Sequence, residues 1–250
     1  NRTWTYRTLN EEANRLASSL MARGVTSDDV VMHALLNSAE FVFTYIATHK
    51  IGCVNAPLNY RLSGGEIALL IDQSKPKALI YDAEFEKIIS EALRSVHHRP
   101  EIIIMADLNN EMDAPEGVVT YRDFVKDGSP ENPVRKDKPS IYDETTRFFT
   151  SGTTNLPKAV PVNDINEVLS AHDVIMHFPL SPKDVTMNLT PWFHRGGLHS
   201  GGPCPTLYLG GTMVILRDFT PRLALQYVSL YHITFLIGAP TVIDMLCRIQ

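Results

Sequence analysis

The chain has 250 residues, enough to bury a sizeable core as one domain or as two lobes, and its 44% hydrophobic and 20% charged residues are ordinary for a globular protein. A formal net charge of −5 without any basic stripe excludes an electrostatic case for nucleic acid, and no apolar run approaches the length of a membrane span. Three cysteines, Cys53, Cys204 and Cys247, are odd in number and widely spaced, which fits neither a disulfide framework nor a zinc site and points to buried thiols in a reducing compartment.

No signal peptide opens the chain, and both ends are abrupt: Asn1-Arg2-Thr3-Trp4 begins without a methionine, and the end falls inside an apolar helical pattern (Val242, Ile243, Met245, Leu246, Ile249). Both ends are therefore expected to belong to something longer.

Thr8-Leu9-Asn10-Glu11 is a cap-like start, followed by Ala13, Leu16, Ala17 and Leu20 at helical spacing and a glycine stop at Gly24. A strand is expected over Val30–Leu36, a helix over Ser38–Lys50 that ends at Gly52, and a brief strand over Val54–Ala56. Ser63 with Glu66 three residues later is a capping-box pattern for a helix that stops before Lys75-Pro76. A strand at Ala78–Tyr81, a helix at Ala83–Val96 and a strand at Ile102–Met105 follow. His97-His98 at the end of that helix reads as favourable charge near a C-terminus in preference to a metal pair.

Residues Lys126–Tyr142 turn polar and carry Pro130, Pro133 and Pro139, the composition of a linker. Beyond it the alternation resumes: a helix from about Asp164, a strand at Val185–Leu189, a helix near His199, a strand at Met213–Leu216, a helix at Pro221–Leu230, a strand at Thr234–Ile237 and a helix from Thr241. Leu207–Leu216, broken by Gly210-Gly211, reads as a turn into a buried strand. Strands alternating with helices imply an α/β fold, with parallel or mostly parallel sheets covered by helices on both faces.

Two segments carry chemistry. The first is Phe149-Thr-Ser-Gly-Thr-Thr-Asn-Leu-Pro-Lys-Ala-Val-Pro-Val162, a run of small hydroxyl residues around Gly152 with Lys158 following. Freed backbone N–H groups, several O–H donors and an ammonium are what a polyphosphate needs. A flexible Ser/Thr/Gly connector has the same composition, but bulky Arg147-Phe148-Phe149 and β-forming Lys158–Val162 clamp this run. It is not a Walker A loop, since no G-x-x-x-x-G-K-[ST] occurs. The second is Pro191-Trp192-Phe193-His194-Arg195-Gly196-Gly197-Leu198-His199 after a strand. It reads either as ligand-pocket wall or as a core aromatic cluster with a satisfied histidine. His194 and His199, five apart, are poorly spaced for one helical face, so a two-histidine metal site is not expected.

Together and in this order the two segments resemble the adenylate-forming superfamily: acyl- and aryl-CoA ligases, adenylation domains of peptide synthetases, and luciferases. The superfamily's T-S-G-T-T-G-x-P-K-G loop is matched by Thr150–Ala159, and its F-H-x-x-G motif by Phe193, His194 and Gly197. Tyr6–Ala17, Asn37–Phe41, Pro57–Leu62 and Gly238-Ala239-Pro240-Thr241 are similar to further patches of the family, so the resemblance covers nearly the whole chain.

The resemblance implies two stacked α/β lobes: residues 1–165, ending in the phosphate loop with a polar linker at about 126–142, and residues 166–250, the start of an incomplete second lobe. It implies that a carboxylic acid attacks the α-phosphate of ATP with Mg2+ to give an acyl-adenylate, and that the acyl group then passes to a thiol, usually of coenzyme A. Thr150, Ser151, Gly152, Thr153, Thr154 and Lys158 would hold the phosphates, with Lys158 and His194 catalytic. Trp192, Phe193, Gly196 and Gly197 would line the acyl pocket. No metal ligand is assigned here, because the family's magnesium carboxylate, ribose aspartate and C-terminal lysine domain have no counterpart in the chain. The resemblance thus implies the N-terminal part of a cytoplasmic acid–CoA ligase of fatty acid metabolism, inactive alone and partnered by its C-terminal remainder. The oligomeric state is open, a homo-oligomer included. A non-catalytic nucleotide- or acyl-binding module and a peptide-synthetase adenylation domain are the alternatives.

Two residues depart from the motif. Asn155 replaces a glycine at a place where Asn tolerates positive φ, and Ala159 replaces another, with a strain of about 1–2 kcal/mol if that position needs positive φ and little if it opens a strand. A weakened grip on phosphate is the expectation these departures raise; restoring both glycines without a change in nucleotide affinity would dispose of it.

Overall fold

Short apolar strands, most of them followed by a helix, build the chain into largely parallel sheets. The computed structural model describes residues 2–109, 111–135, 137–150 and 157–249. The chain divides into two units, residues 1–35 with 40–162, and residues 36–39 with 163–250.

In the first unit, α1 (Tyr6–Ala22) begins on Thr5, not at the expected Thr8. The Thr5 hydroxyl accepts from the Thr8 N–H, while the Thr5 N–H donates back to Thr8 Oγ1. Thr8 therefore takes the returning role that Glu or Gln usually fills in a capping box. Next come β1 (Val30–Ala34), α2 (Ala39–Ile51), β2 (Val54–Pro57), α3 (Gly64–Ser74) and β3 (Ala78–Asp82). At the start of α3, Ser63 and Glu66 form the expected reciprocal cap. The helix expected from Ala83 opens as a 3-10 turn, Ala83–Phe85, before α4 (Glu86–Ser95). His97 and His98 lie beyond α4, where both backbone N–H groups and His97 Nδ1 donate to Asp72 at 2.8 Å.

The unit continues with β4 (Ile102–Ala106), β5 (Val119–Thr120), α5 (Tyr121–Val125), β6 (Glu144–Thr150) and β7 (Lys158–Asn163). The polar stretch before β6 lies against α1: Asn14 Nδ2 donates to the Pro130 carbonyl at 2.6 Å, and Arg15 to the Gly128 carbonyl at 2.9 Å. The strand order is β5-β4-β3-β1-β2-β6-β7, parallel from β5 through β6. β7 lies beside β6 at the end of that order, the edge of the sheet. Every residue of β1, β3 and β4 is buried, as expected of strands covered on both faces. Met32, Ile67, Leu79, Tyr81, Ile89 and Ile103 centre the core.

The second unit contains α6 (Asp164–His177), β8 (Val185–Asn188), α7 (Arg195–His199), α8 (Pro203–Leu209), β9 (Thr212–Met213), α9 (Pro221–Tyr231), β10 (Phe235–Ile237) and α10 (Pro240–Ile249). Its three strands are parallel in the order β10-β8-β9. The turn-and-strand expected over Leu207–Leu216 is corrected: its first residues end α8, Gly210 (φ +79) caps that helix in the left-handed region, and the strand shortens to Thr212–Met213. A short apolar run is ambiguous by periodicity, and the deciding punctuation was Pro203 at the helix start with Gly210 just past its end. Met187, Leu189, Leu216, Ala224 and Leu246 form this unit's core.

Candidate functional site

The hydroxyl-rich loop is framed by β6 and β7. On β6 the Arg147 guanidinium pairs with Glu144 at 2.7 and 2.6 Å, Phe148 is buried, and Phe149 packs against the sheet core. Thr145 Oγ1 donates to the Val162 carbonyl at 3.2 Å and ties the two strands together. Because β6 runs parallel to β2, Thr150 ends at the carboxyl edge of the sheet, the edge at which open α/β sheets bind ligands. Thr150 and Lys158, on either side of the loop, are both exposed. Ser151, Gly152, Thr153, Thr154 and Asn155 lie outside the described residues. Ala159 sits within β7, and among the described residues the only non-glycine positions with positive φ are Lys75 and His232. The strain considered for Ala159 therefore does not arise.

The aromatic-histidine segment leaves the carboxyl end of β8 and is held by two asparagines. Asn188 Oδ1 accepts from the Thr190 N–H at 2.7 Å, and its Nδ2 donates to the carbonyls of Ser200 at 2.7 Å and Gly196 at 3.2 Å. Asn37 Oδ1 accepts from the Trp192 N–H at 2.9 Å, and its Nδ2 donates to the Thr190 carbonyl at 3.2 Å. Both asparagines are buried, where unmade backbone bonds would be costly, so they fix the path of residues 190–200.

On that path Trp192 and Phe193 are buried, whereas His194, Arg195 and Gly196 are exposed. The His194 imidazole lies 4.2 Å from the Phe193 ring centroid, and His194 is the N-cap residue of α7. Arg195 donates to Ser170 Oγ at 2.9 Å. Gly197 is demanded by packing, since a Cβ there would fall 2.1 Å from the Pro191 carbonyl oxygen; at Gly196 a Cβ would meet nothing within 4 Å. His199 turns inward to hydrogen-bond Glu167 and is buried, unlike His194.

Sequence reasoning missed the roles of Asn37, Asn188 and Glu167. An Asn two residues before Thr190 is a local turn signal that was available; the reach of Asn37 to residues 190 and 192 left none.

The open parallel sheets, with these segments at their carboxyl edges, define an α/β protein with the fold of adenylate-forming acyl-CoA synthetases. The chain belongs to the AMP-binding enzyme family, whose profile matches residues 1–250. It is 30% identical over 243 residues to 4-hydroxybutyrate–CoA ligase 2 of Metallosphaera sedula, covering 96% of this chain and 43% of that protein. It is 29% identical to the crotonobetaine/carnitine–CoA ligase of Salmonella paratyphi B, covering 93% and 44%. It is also 29% identical to the peroxisomal butyrate–CoA ligase AAE11 of Arabidopsis thaliana, covering 93% and 42%. The chain thus spans less than half the length of these relatives.

Among solved structures it is similar to the anthranilate–CoA ligase AuaEII in complex with anthranoyl-AMP, with a TM-score of 0.89 and 23% identity over 96% of this chain and 46% of that one. It is similar, too, to the inhibitor-bound N-terminal domain of FACL13 from Mycobacterium tuberculosis, with a TM-score of 0.81 and 22% identity over 98% and 58%. At these identities the likeness shows the fold. Among the described residues, no helix is long and apolar enough to cross a membrane.

Proposed function

We propose that this chain carries the phosphate-binding part of an acid–CoA ligase, which uses ATP to join a carboxylic acid to coenzyme A. The observation that supports it best is the position of Thr150, at the carboxyl edge of a parallel sheet, with Lys158 opening the next strand, in a chain matched along its whole length by the AMP-binding enzyme family. An exposed ammonium and hydroxyl flanking a glycine-containing loop suit a triphosphate. In this reading a carboxylate oxygen forms a bond to the α-phosphorus of ATP, pyrophosphate leaves, and the thiol of coenzyme A then displaces AMP from the acyl carbon.

Thr150, Ser151, Gly152, Thr153, Thr154 and Lys158 hold the β- and γ-phosphates and offset the charge that builds on pyrophosphate. The exposed His194 orients the attacking carboxylate. Trp192, Phe193, Gly196 and Gly197 line the acyl pocket in this reading. ATP is taken with Mg2+, and no residue of this chain is assigned to the metal. Since the chain spans 43% and 44% of two ligase relatives, the activity is assigned to a ligase of their length that contains it; the chain alone is expected to be inactive. A cytoplasmic place and a role in fatty acid metabolism accompany the proposal, although one relative's name carries the word peroxisomal.

The test is acid-dependent ATP–pyrophosphate exchange by a full-length ligase containing this chain, screened with butyrate and 4-hydroxybutyrate first, then long-chain, aromatic and amino acids. Exchange with a non-amino carboxylic acid and transfer to coenzyme A is expected. Lys158→Ala should lower exchange by roughly 100-fold or more, and His194→Ala should reduce kcat more than it changes the KM for ATP. Nucleotide binding without exchange for any acid would instead establish a binding module, and exchange confined to amino acids an adenylation domain.

A further inference from the structure

Apart from Thr150, Lys158 and His194, three side chains with metal-ligating atoms converge inside the second unit. Glu167 lies in the first turns of α6, His199 ends α7, and Cys204 lies in the first turn of α8. They are 4%, 2% and 7% exposed, and their ligand atoms all fall within 4.8 Å of one another. His199 Nε2 hydrogen-bonds the Glu167 carboxylate, and Cys204 Sγ approaches the Glu167 carbonyl at 3.5 Å.

The convergence depends on the turn between His199 and Cys204. Gly201 adopts φ +76, and a Cβ on Gly202 would lie 1.8 Å from the Gly197 carbonyl oxygen. Only glycines let the chain fold back closely enough to set the thiol beside the imidazole.

We infer that Glu167, His199 and Cys204 form a buried binding site for a borderline-soft divalent cation, Zn2+ in the first instance. A carboxylate, a thiolate and a neutral imidazole balance a dication, so no net charge is left in the interior. Sulfur and nitrogen donors select zinc over magnesium or calcium, and three protein ligands leave one position for water. Zinc–ligand bonds of about 2.0–2.3 Å place tetrahedral ligand atoms roughly 3.3–3.8 Å apart, so the cation draws the outermost donors in by about 1 Å and parts the Glu167–His199 pair. The three helices α6, α7 and α8 would then be cross-linked at one point. The inference is independent of the ligase reading.

The test is titration of metal-stripped protein with Co2+, read by the near-ultraviolet thiolate-to-cobalt charge-transfer band, with Zn2+ as competitor and metal content measured by mass spectrometry. About one cobalt per chain with a thiolate band that Zn2+ bleaches is expected. The chain has three cysteines, so a folded Cys53→Ala/Cys247→Ser variant that keeps the band assigns it to Cys204. Glu167→Gln should weaken zinc affinity by 10-fold or more. Absence of the band in the wild-type protein, or its loss in the double variant with fold intact, overturns the inference.

Discussion

The two units solve the same folding problem with different means. In the first, β1, β3 and β4 are buried at every residue around a large apolar cluster that includes Leu79, with His33, Asn55 and Thr146 buried in the same sheet. In the second, β9 and β10 are only partly buried, and α6, α9 and α10 leave Leu169, Met176, Leu230 and Met245 exposed. There a smaller apolar core is accompanied by buried polar contacts that hold residues 190–200 and the helices before and after them: Asn188 and Asn37 on residues 190–200, Thr186 with Thr206 at 2.7 Å, and Glu167 with His199. Apolar burial is non-directional and supplies stability; hydrogen bonds to buried side chains are directional and supply position. The segment that carries the exposed His194 is held by the second means.

The largest effect should come from removing core volume in the first unit. Leu79→Ala is expected to cost about 2–5 kcal/mol in denaturant unfolding, and Leu246→Ala in the second unit to fall near the lower end of that range. Equal losses would break the contrast between the units.

A second test concerns the one basic group buried in the first sheet. His33 Nε2 donates to Asn55 Oδ1 at 2.9 Å, and burial pushes its pKa down to about 4 from 6.5. The unfolded chain therefore binds more protons between those values. Stability is complete above about pH 6.5 and falls as pH drops towards 4, by about 3 kcal/mol for a shift of this size, and His33→Gln should flatten that slope. Asp72 and Asp184 are held low chiefly by hydrogen bonds, from the His98 backbone N–H and the Thr234 hydroxyl respectively, so their contribution is lost only below the ordinary carboxylate range and the windows separate.

Asn188→Ala sharpens the comparison from the other side. It strips donors from the Gly196 and Ser200 carbonyls and should cost about 1–3 kcal/mol. Hydrogen exchange at the Thr190 amide should accelerate, while the first unit's strands stay protected. Unchanged exchange at Thr190 would show that the aromatic-histidine segment is held by something else. The smallest effect is expected for Ser63→Ala, which removes a local cap and should cost about 1 kcal/mol without touching either candidate segment.

The α/β class, most elements and the Ser63–Glu66 cap were legible because they depend on neighbours within a turn or two. The start of α1 was misplaced by one capping partner, because Thr5 and Thr8 are chemically alike and either could have opened the helix. β5 and α5, too short for a periodic signal, were not read at all. For the candidate site, residue types announced the loop around Lys158 and the segment around His194, but not which of them point outward.

The amino-acid sequence alone determined the alternation of strand and helix, the hydroxyl-rich loop and the family's motifs, since each is written in residues close together in the chain. Tertiary structure alone decided that Trp192 and Phe193 are buried while His194 is exposed, that Asn37 holds residues 190 and 192, and that Glu167, His199 and Cys204 meet. Those outcomes depend on packing between segments far apart in sequence, and no local propensity encodes where a distant carbonyl or imidazole will arrive.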